Sequence, residues 1–437
     1  MKILIISHNP TSSYQNMGKT FLSLFHDFVE EELCQLYIYP SVPDIERCES
    51  YYRVTDKEAL KSCFGMRNIG REIKSDEIKS ATKSLFTDKR DEALYRNPKN
   101  KKPFRMLLRD DVWRFSHWYN KNLRRWIEKE QPTCIFIAPG TGKFLYNIAI
   151  KLSKKYKLPI VSYLCDDYYF LKPHCGFWGR KYSKLFKHKI EELFSITSCF
   201  IAINKEIARV YSEKFHLPSI TIMTGSNYPI RQDIKKDDNV TSITYMGNIR
   251  CNRFYSLVEI GEKLDEINAE YGTNYELNIY TAEKDGEILE TLSKCLSIKL
   301  KGFVSGEEFD KIFHSASMLL HVEAFDEKSI DLVKYSISTK IADSLGSGIC
   351  LFAYGPSSVA SMQHLIDNDC AICATSRDEL KAKLLLAFNN KEERERVARN
   401  GLVAAHNFHD SELNSKILYD NLKRVSESVI GESFTGK

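Results

Sequence analysis

Short apolar runs alternate with amphipathic segments along almost the whole chain, and they do so in two separate series. This alternation constrains the fold most. Strands joined by helical crossovers pair in parallel and need helices on both faces of the sheet. In the first series strands are expected at 2–7, 36–39, 134–138, 160–165, 199–204 and 220–223, and helices at 18–28, 143–156 and 206–215. Residues 41 to about 103 are charged and irregular and read as an elaboration of that core. Phe104, Leu108, Val112, Phe115, Trp118 or Tyr119, Leu123 and Trp126 recur at helical spacing and predict one helix over 104–127. Arg105, Arg109, Arg114, Lys121, Arg124 and Arg125 fall on its other face.

Residues 224–229 (Thr-Gly-Ser-Asn-Tyr-Pro) break the alternation, and a polar stretch follows to Asn239. A domain boundary belongs there. The second series has expected strands at 242–247, 276–281, 298–301, 318–322 and 350–354. Its helices are expected at 254–268, 286–295, 307–315 and 411–426. The organisation that follows is a first domain over 1–225, a linker over 226–240, a second domain over 241–410, and a last helix with tail over 411–437. That last helix follows a complete sheet and is expected to cross back to the first domain. The fold class is α/β: two Rossmann-like, doubly wound domains facing each other across a cleft. Such sheets bind ligands at the carboxyl ends of their strands, which makes the cleft the expected site.

Bulk properties exclude some classes. A length of 437 residues calls for two domains, and 43% hydrophobic content supplies their cores. A net charge of +5 is mild for this length and argues against nucleic acid as a partner. Twelve cysteines at irregular spacing, with no secretory h-region ahead of them, fit a reduced, cytoplasmic protein. No apolar run reaches the roughly 18 residues that a membrane span requires. Cys370 and Cys373 have the spacing of half a zinc site, but no second pair lies near, so two small thiols in a strand is the better reading.

Chemistry concentrates at 336–348 (Ser-Ile-Ser-Thr-Lys-Ile-Ala-Asp-Ser-Leu-Gly-Ser-Gly), just before an apolar run. This reads as loop, short helix, glycine stop and buried strand. Ser338 and Thr339 suit the N-cap. The helix start offers free N–H groups and the positive end of the dipole to a phosphate. Lys340 in the first turn is unfavourable for the bare helix, and a bound diphosphate reverses that. Asp343, one turn on, is placed to reach a ribose hydroxyl.

Two further stretches resemble a known family together with this one. They are Tyr245-Met246-Gly247-Asn248-Ile249 with Arg253 just beyond, and Lys301-Gly302-Phe303-Val304-Ser305 followed by Glu307-Glu308-Phe309. With 338–343 and Gly348 they resemble the GT-B glycosyltransferases of the family-4-like group, most clearly over 241–410. The resemblance implies transfer of a sugar, hexosyl by analogy, from a nucleoside diphosphate to a saccharide or glycolipid acceptor. It implies retention of configuration and a setting in bacterial surface polysaccharide or glycoconjugate synthesis. It makes Gly247 and Asn248 the turn that opens the donor domain, and Phe303 and Val304 the loop that meets the base. Ser338, Thr339 and Asp343 bind the donor, while Lys340 and Arg253 stabilise the leaving diphosphate in place of a divalent metal, so neither metal nor cofactor is expected. The family's pair of glutamates, separated by seven residues, is altered: Asp343 takes the second place and Tyr335 the first. Glu323 lies farther upstream and is the remaining candidate for a sugar-contacting carboxylate, acting from a long loop over 326–335.

On the acceptor side, His8 and Asp166 sit at expected strand ends, where they hold acceptor hydroxyls or serve as a base. Gly18 opens the helix that faces the donor. Gly18-Lys19-Thr20 also resembles the end of a phosphate loop with Ser13 where the first glycine belongs, and Pro139-Gly140-Thr141-Gly142-Lys143 is a second near-match. An ATPase or kinase, or a non-catalytic nucleotide-sugar binder, are the rival readings. The 104–127 helix with the basic cluster Lys99-Asn100-Lys101-Lys102 is either core plus solvated face, or a seat on an anionic membrane at its inner surface.

Overall fold

The computed structural model describes residues 1–13, 16–80 and 102–435, so Lys99, Asn100 and Lys101 lie outside the described residues. The chain divides into two compact units, Met1–Met223 with Ser411–Lys437, and Thr224–Asp410.

The first unit is built on an eight-stranded sheet, in the order β4-β3-β2-β1-β5-β6-β7-β8. Its strands are β1 (Ile3–Ser7), β2 (Leu33–Tyr37), β3 (Ser50–Arg53), β4 (Arg71–Ile73), β5 (Cys134–Ala138), β6 (Ile160–Leu164), β7 (Thr197–Ala202) and β8 (Ser219–Thr221). All neighbours pair in parallel except β3 with β4. β1, β5 and β6 are buried along their whole length, as expected for strands covered on both faces.

β2 begins earlier than the 36–39 expected from apolar residues. Gln35 interrupts the apolar pattern, yet it is fully buried, donating from Nε2 to Ser7 Oγ (2.9 Å) and accepting from Thr11 N (3.1 Å). The irregular elaboration holds β3 and β4, whose three or four residues are too short to show a period. Tyr51 and Tyr52 of β3 are 1% and 2% exposed.

The single helix expected over 104–127 is two, Pro103–Phe115 and Lys121–Glu130. The first ends where Ser116 turns to extended backbone, and Asn120 starts the second by accepting from Asn122 N (2.9 Å) and Leu123 N (3.1 Å). The first of these buries Leu107, Asp110 and Trp113, not the aromatic stripe, so Phe104, Leu108 and Phe115 are exposed.

The second unit has a six-stranded, wholly parallel sheet in the order β11-β10-β9-β12-β13-β14. Its strands are β9 (Ser242–Met246), β10 (Glu276–Tyr280), β11 (Ile298–Gly302), β12 (Leu319–Val322), β13 (Leu351–Tyr354) and β14 (Ile372–Ala374). The loop expected over 326–335 contains a helix, Glu327–Val333, N-capped by Asp326 through Ser329 N (3.0 Å). Gly348 has φ +66°, and a Cβ there would meet Asp233 O at 2.8 Å, so glycine is required on both counts. The final helix, Ser411–Thr435, returns to the first unit. There Tyr419 meets Phe28 with ring centroids 5.0 Å apart, and Asp27 N donates to Ser415 Oγ (2.9 Å). No helix among the described residues is long and apolar enough to cross a membrane.

Each sheet reverses its strand order once, between β1 and β5 and between β9 and β12. Loops leaving the carboxyl ends of those strands diverge and leave room for ligands.

A buried histidine pair gives the second unit a pH dependence. His409, 1% exposed, faces Thr224 O through Nδ1 (2.9 Å) and His364 Nε2 through Nε2 (3.1 Å). Burial lowers its pKa from 6.5 to about 4. The unfolded chain therefore binds the extra proton first. The contribution of His409 is complete above pH 6.5 and is lost as pH falls from 6.5 towards 4, at about 1.4 kcal/mol per pH unit. The thermal midpoint of the wild-type chain is expected to drop across that window, and His409→Gln is expected to flatten this part of the curve.

Candidate active site

In the second unit the loops after β9 and β12 and the helix Thr339–Gly346 bring four of the expected residues together. Arg253 opens the helix Arg253–Tyr271 after a turn in which Cys251 and Asn252 take φ of 56° and 57°. Its guanidinium donates to Glu323 through Nε (2.9 Å) and Nη2 (3.0 Å), a two-pronged charge-assisted pair. The Glu323 side chain is 3% exposed and that of Arg253 is 18%. The backbone of Glu323 is fixed as well, with its N donating to Tyr354 O (2.9 Å) and its O accepting from Ser256 Oγ (2.8 Å). Glu323 thus acts from the end of β12 and not from a long loop, and Arg253 occupies both of its oxygens.

Lys340 lies in the first turn of Thr339–Gly346, with Nζ against Gly247 and 5.8 Å from the centre of the Tyr245 ring. No hydrogen bond or ion pair ends on it among the described residues. It is open to solvent yet hemmed in by protein. That surrounding bulk, with the nearby Arg253 charge, lowers its pKa to about 8. Arg253 and Glu323 cancel, so Lys340 leaves the cluster one surplus positive charge.

Gly247 is what lets Nζ in, because a Cβ at 247 would collide with it. Gly247→Ala is expected to keep the fold, since the atom struck is the flexible end of a side chain. It is expected to weaken binding of a nucleoside diphosphate about tenfold or more by displacing that cation, as titration calorimetry would show.

His321, on β12, was not foreseen. Its Nε2 lies 3.5 Å from Glu323 Oε1, and burial takes its pKa to about 4, so it is neutral. A histidine two residues before the carboxylate points to the same face of the strand, which is the signal that could have revealed it.

The other donor-side residues are placed as follows. Ser338 is the N-cap, but its hydroxyl makes no capping bond; Ser338 O accepts from Ile341 N (3.0 Å). Thr339 is exposed beside it. Asp343 is turned to the loop that starts the unit, accepting from Asn227 N (2.7 Å), Asn227 Nδ2 (2.9 Å) and Ser226 Oγ (3.2 Å). Asn248 O accepts from Tyr245 OH (2.6 Å). Phe303 is 68% exposed after β11, while Val304 packs against the core.

In the first unit, His8 follows β1. Its Nδ1 faces Asn9 Oδ1 (3.0 Å) and its Nε2 accepts from Arg109 (2.9 Å). Asp56 holds that guanidinium with two bonds, at 2.9 and 2.8 Å. Burial and the Arg109 charge lower the pKa of His8 to about 4. Asp166 is exposed after β6, whereas the adjacent Asp167 is buried and accepts from Tyr169 N and Phe170 N. Gly18 lies in the helix Asn16–Leu24, against the loop after β1, where a Cβ would meet Ser12 N at 2.5 Å.

In each near-match to a phosphate loop a carboxylate takes a backbone donor that a phosphate would use. The Asp44 carboxylate takes Ser13 N (3.0 Å) and Ser13 Oγ. The Asp110 carboxylate takes Phe144 N (3.0 Å) at the start of Lys143–Tyr156. An anion already sits at a donor of each loop, which counts against the ATPase reading.

Residues 264–416 match a family described as glycosyl transferase-like, which covers most of the second unit. Among curated proteins none matches the chain in sequence. Solved structures match over almost the full length. Anabaena HepE in complex with UDP has a TM-score of 0.61 at 8% identity, over 97% of this chain and 100% of that one. The α,α-trehalose-phosphate synthase (UDP-forming) from Burkholderia vietnamiensis has a TM-score of 0.58 at 10% identity, over 98% and 99%. At such identities the likeness shows the fold alone, that of the GT-B glycosyltransferases, and the glycosyl transferase-like match in sequence is confined to residues 264–416.

Proposed function

We propose that this protein transfers a glycosyl group from a nucleoside diphosphate sugar, a UDP-sugar in the first instance, to a saccharide or lipid-linked saccharide. The observation that carries the reading is Lys340, a cation with no carboxylate partner among the described residues, at a helix start beside the switch point of the second sheet. In the reaction the anomeric C–O bond breaks and the nucleoside diphosphate leaves with the electron pair. An acceptor oxygen forms the new bond and passes its proton to the leaving phosphate oxygen. Charge builds on the leaving phosphate, where a fixed cation and helix N–H groups lower the barrier. Arg253, held by Glu323, keeps a second cation at the same place. Ser338 and Thr339 offer backbone N–H groups, and the Phe303–Val304 loop meets the base.

The same proposal includes metal-free turnover and retention of configuration. Inversion requires a base on the acceptor hydroxyl, and the Nε2 lone pair of His8 is already taken by Arg109. Asp166 then holds an acceptor hydroxyl. The acceptor chemistry is that of bacterial surface polysaccharide or glycoconjugate synthesis.

The test is a thermal-shift and product-release panel of UDP-, GDP- and dTDP-sugars beside ATP, with and without EDTA. A nucleotide sugar is expected to raise the midpoint and to release its nucleoside diphosphate slowly even without acceptor. Protection by ATP alone would overturn the reading. Protection by a nucleotide sugar without any release or transfer would reduce it to binding. The anomeric proton of the transfer product decides retention.

A further inference from the structure

The first unit exposes an apolar and basic surface that the transfer chemistry leaves unused. Residues 170–178 are all exposed. Phe177 is 67% exposed, Trp178 45%, Phe170 41% and Leu171 38%. The helix Gly176–Phe194 continues from them, and its Phe177, Lys181, Lys184, Leu185 and His188 follow one another at helical spacing along one face. From 170 to 190 the chain carries six Lys and Arg residues and no Asp or Glu. The neighbouring helix Pro103–Phe115 extends the patch. The Phe104 ring lies 5.0 Å from that of Trp178, and Arg105 and the 48%-exposed Leu108 stand beside it.

Soluble surfaces rarely gather large apolar side chains. Cations in excess of acids, with Asp111 the exposed acid of Pro103–Phe115, and aromatic rings together describe a surface that lies in the headgroup layer of an anionic bilayer. We propose that this patch seats the protein on anionic lipid, with Phe177, Trp178 and Phe104 entering the interface and Lys181, Lys184 and Arg180 meeting the headgroups. Tyr182, on the same helix, donates to Thr141 O (2.5 Å) in the loop after β5. The patch is therefore braced against a loop at the switch point of the first sheet. A lipid-linked acceptor lying in the bilayer would carry its sugar towards that loop. The seat is distinct from the cations of Lys121–Glu130, where Arg124 and Arg125 share their exposed side with no large exposed apolar residue.

Binding is measured directly, so its failure is separate from failure of the transferase reading. The full chain is floated with vesicles of phosphatidylcholine alone and of phosphatidylcholine with phosphatidylglycerol, at low salt. Binding is expected only with the anionic lipid. Phe177→Ser with Trp178→Ser, and separately Lys181→Glu with Lys184→Glu, are each expected to reduce it about tenfold or more. All four side chains are exposed, so the thermal midpoint should not move. The other three tryptophans are 2%, 7% and 3% exposed, so brominated acyl chains are expected to quench Trp178 alone, and Trp178→Phe to abolish that quenching. No binding to the anionic vesicles would overturn the proposal. Binding that survives Phe177→Ser with Trp178→Ser unchanged would overturn it as well, because a soluble polyanion such as RNA would then fit the patch equally.

Discussion

Lys340→Ala is expected to lower kcat/KM for a nucleotide sugar by about 100- to 1000-fold, the effect of removing one fixed donor from a developing oxyanion, while the thermal midpoint stays put. The two halves of this expectation have one cause. No hydrogen bond or ion pair among the described residues ends on Lys340, so the folded state does not depend on it. Its charge is held in reserve beside Gly247 and the first turn of Thr339–Gly346. Lys340→Arg is not an equivalent: the guanidinium is wider, and Gly247 makes room for an ammonium. A pKa of about 8 adds a second readout. Below pH 8 the free protein carries the proton that a diphosphate needs. Above it, each binding event must take up a proton, and affinity is expected to fall about tenfold per pH unit. That limb should vanish in Lys340→Ala. An alanine variant with normal turnover, or a wild-type profile flat from pH 7 to 9, would remove Lys340 from the mechanism.

The location of that lysine was legible in sequence because every part of the signal is local. Gly348 ends the helix by its positive φ, the apolar run after it makes β13, and the spacing of Thr339 and Lys340 puts the cation in the first turn. What the sequence hid is pairing at a distance. Arg253 and Glu323 lie seventy residues apart, and only the neighbouring of β9 and β12 at the switch point joins them. Asp343 looked ready for a ribose by its place on the helix, yet the loop at Ser226 and Asn227 folds back and takes its oxygens. The aromatic stripe of 104–115 misled for a related reason. Its period is that of an amphipathic helix, but the buried face is set by Asp110, whose partner is the backbone of Phe144. A buried carboxylate cannot be told from a surface one until its donor is located. The same displacement leaves Phe104 and Leu108 outside, beside Trp178.

The Arg253–Glu323 pair predicts an asymmetry that a solvated ion pair would not show. Arg253→Ala leaves the Glu323 carboxylate almost fully buried without its two-pronged donor, with the Lys340 charge nearby but no bond from it, at a cost of about 3–5 kcal/mol. Its neighbour His321 offers little compensation. Taking up a proton there works against the burial that holds its pKa near 4. Glu323→Gln costs less, because the amide oxygen still accepts one bond and Arg253, at 18% side-chain exposure, reaches solvent with the rest. The double variant Arg253→Met with Glu323→Gln removes both charges and is expected to recover most of the stability lost in Arg253→Ala, as a denaturation midpoint would show. Turnover then separates two roles that stability cannot. If the pair only braces β12 against the helix Arg253–Tyr271, the double variant works at close to the wild-type rate. If Arg253 is a second cation for the leaving diphosphate, the double variant folds and still loses kcat by about tenfold or more. Lys340 would then be the cation left to the site among the described residues, and the alkaline limb near pH 8 should persist, because burial is the largest cause of the low lysine pKa and the opposed charges of Arg253 and Glu323 leave together.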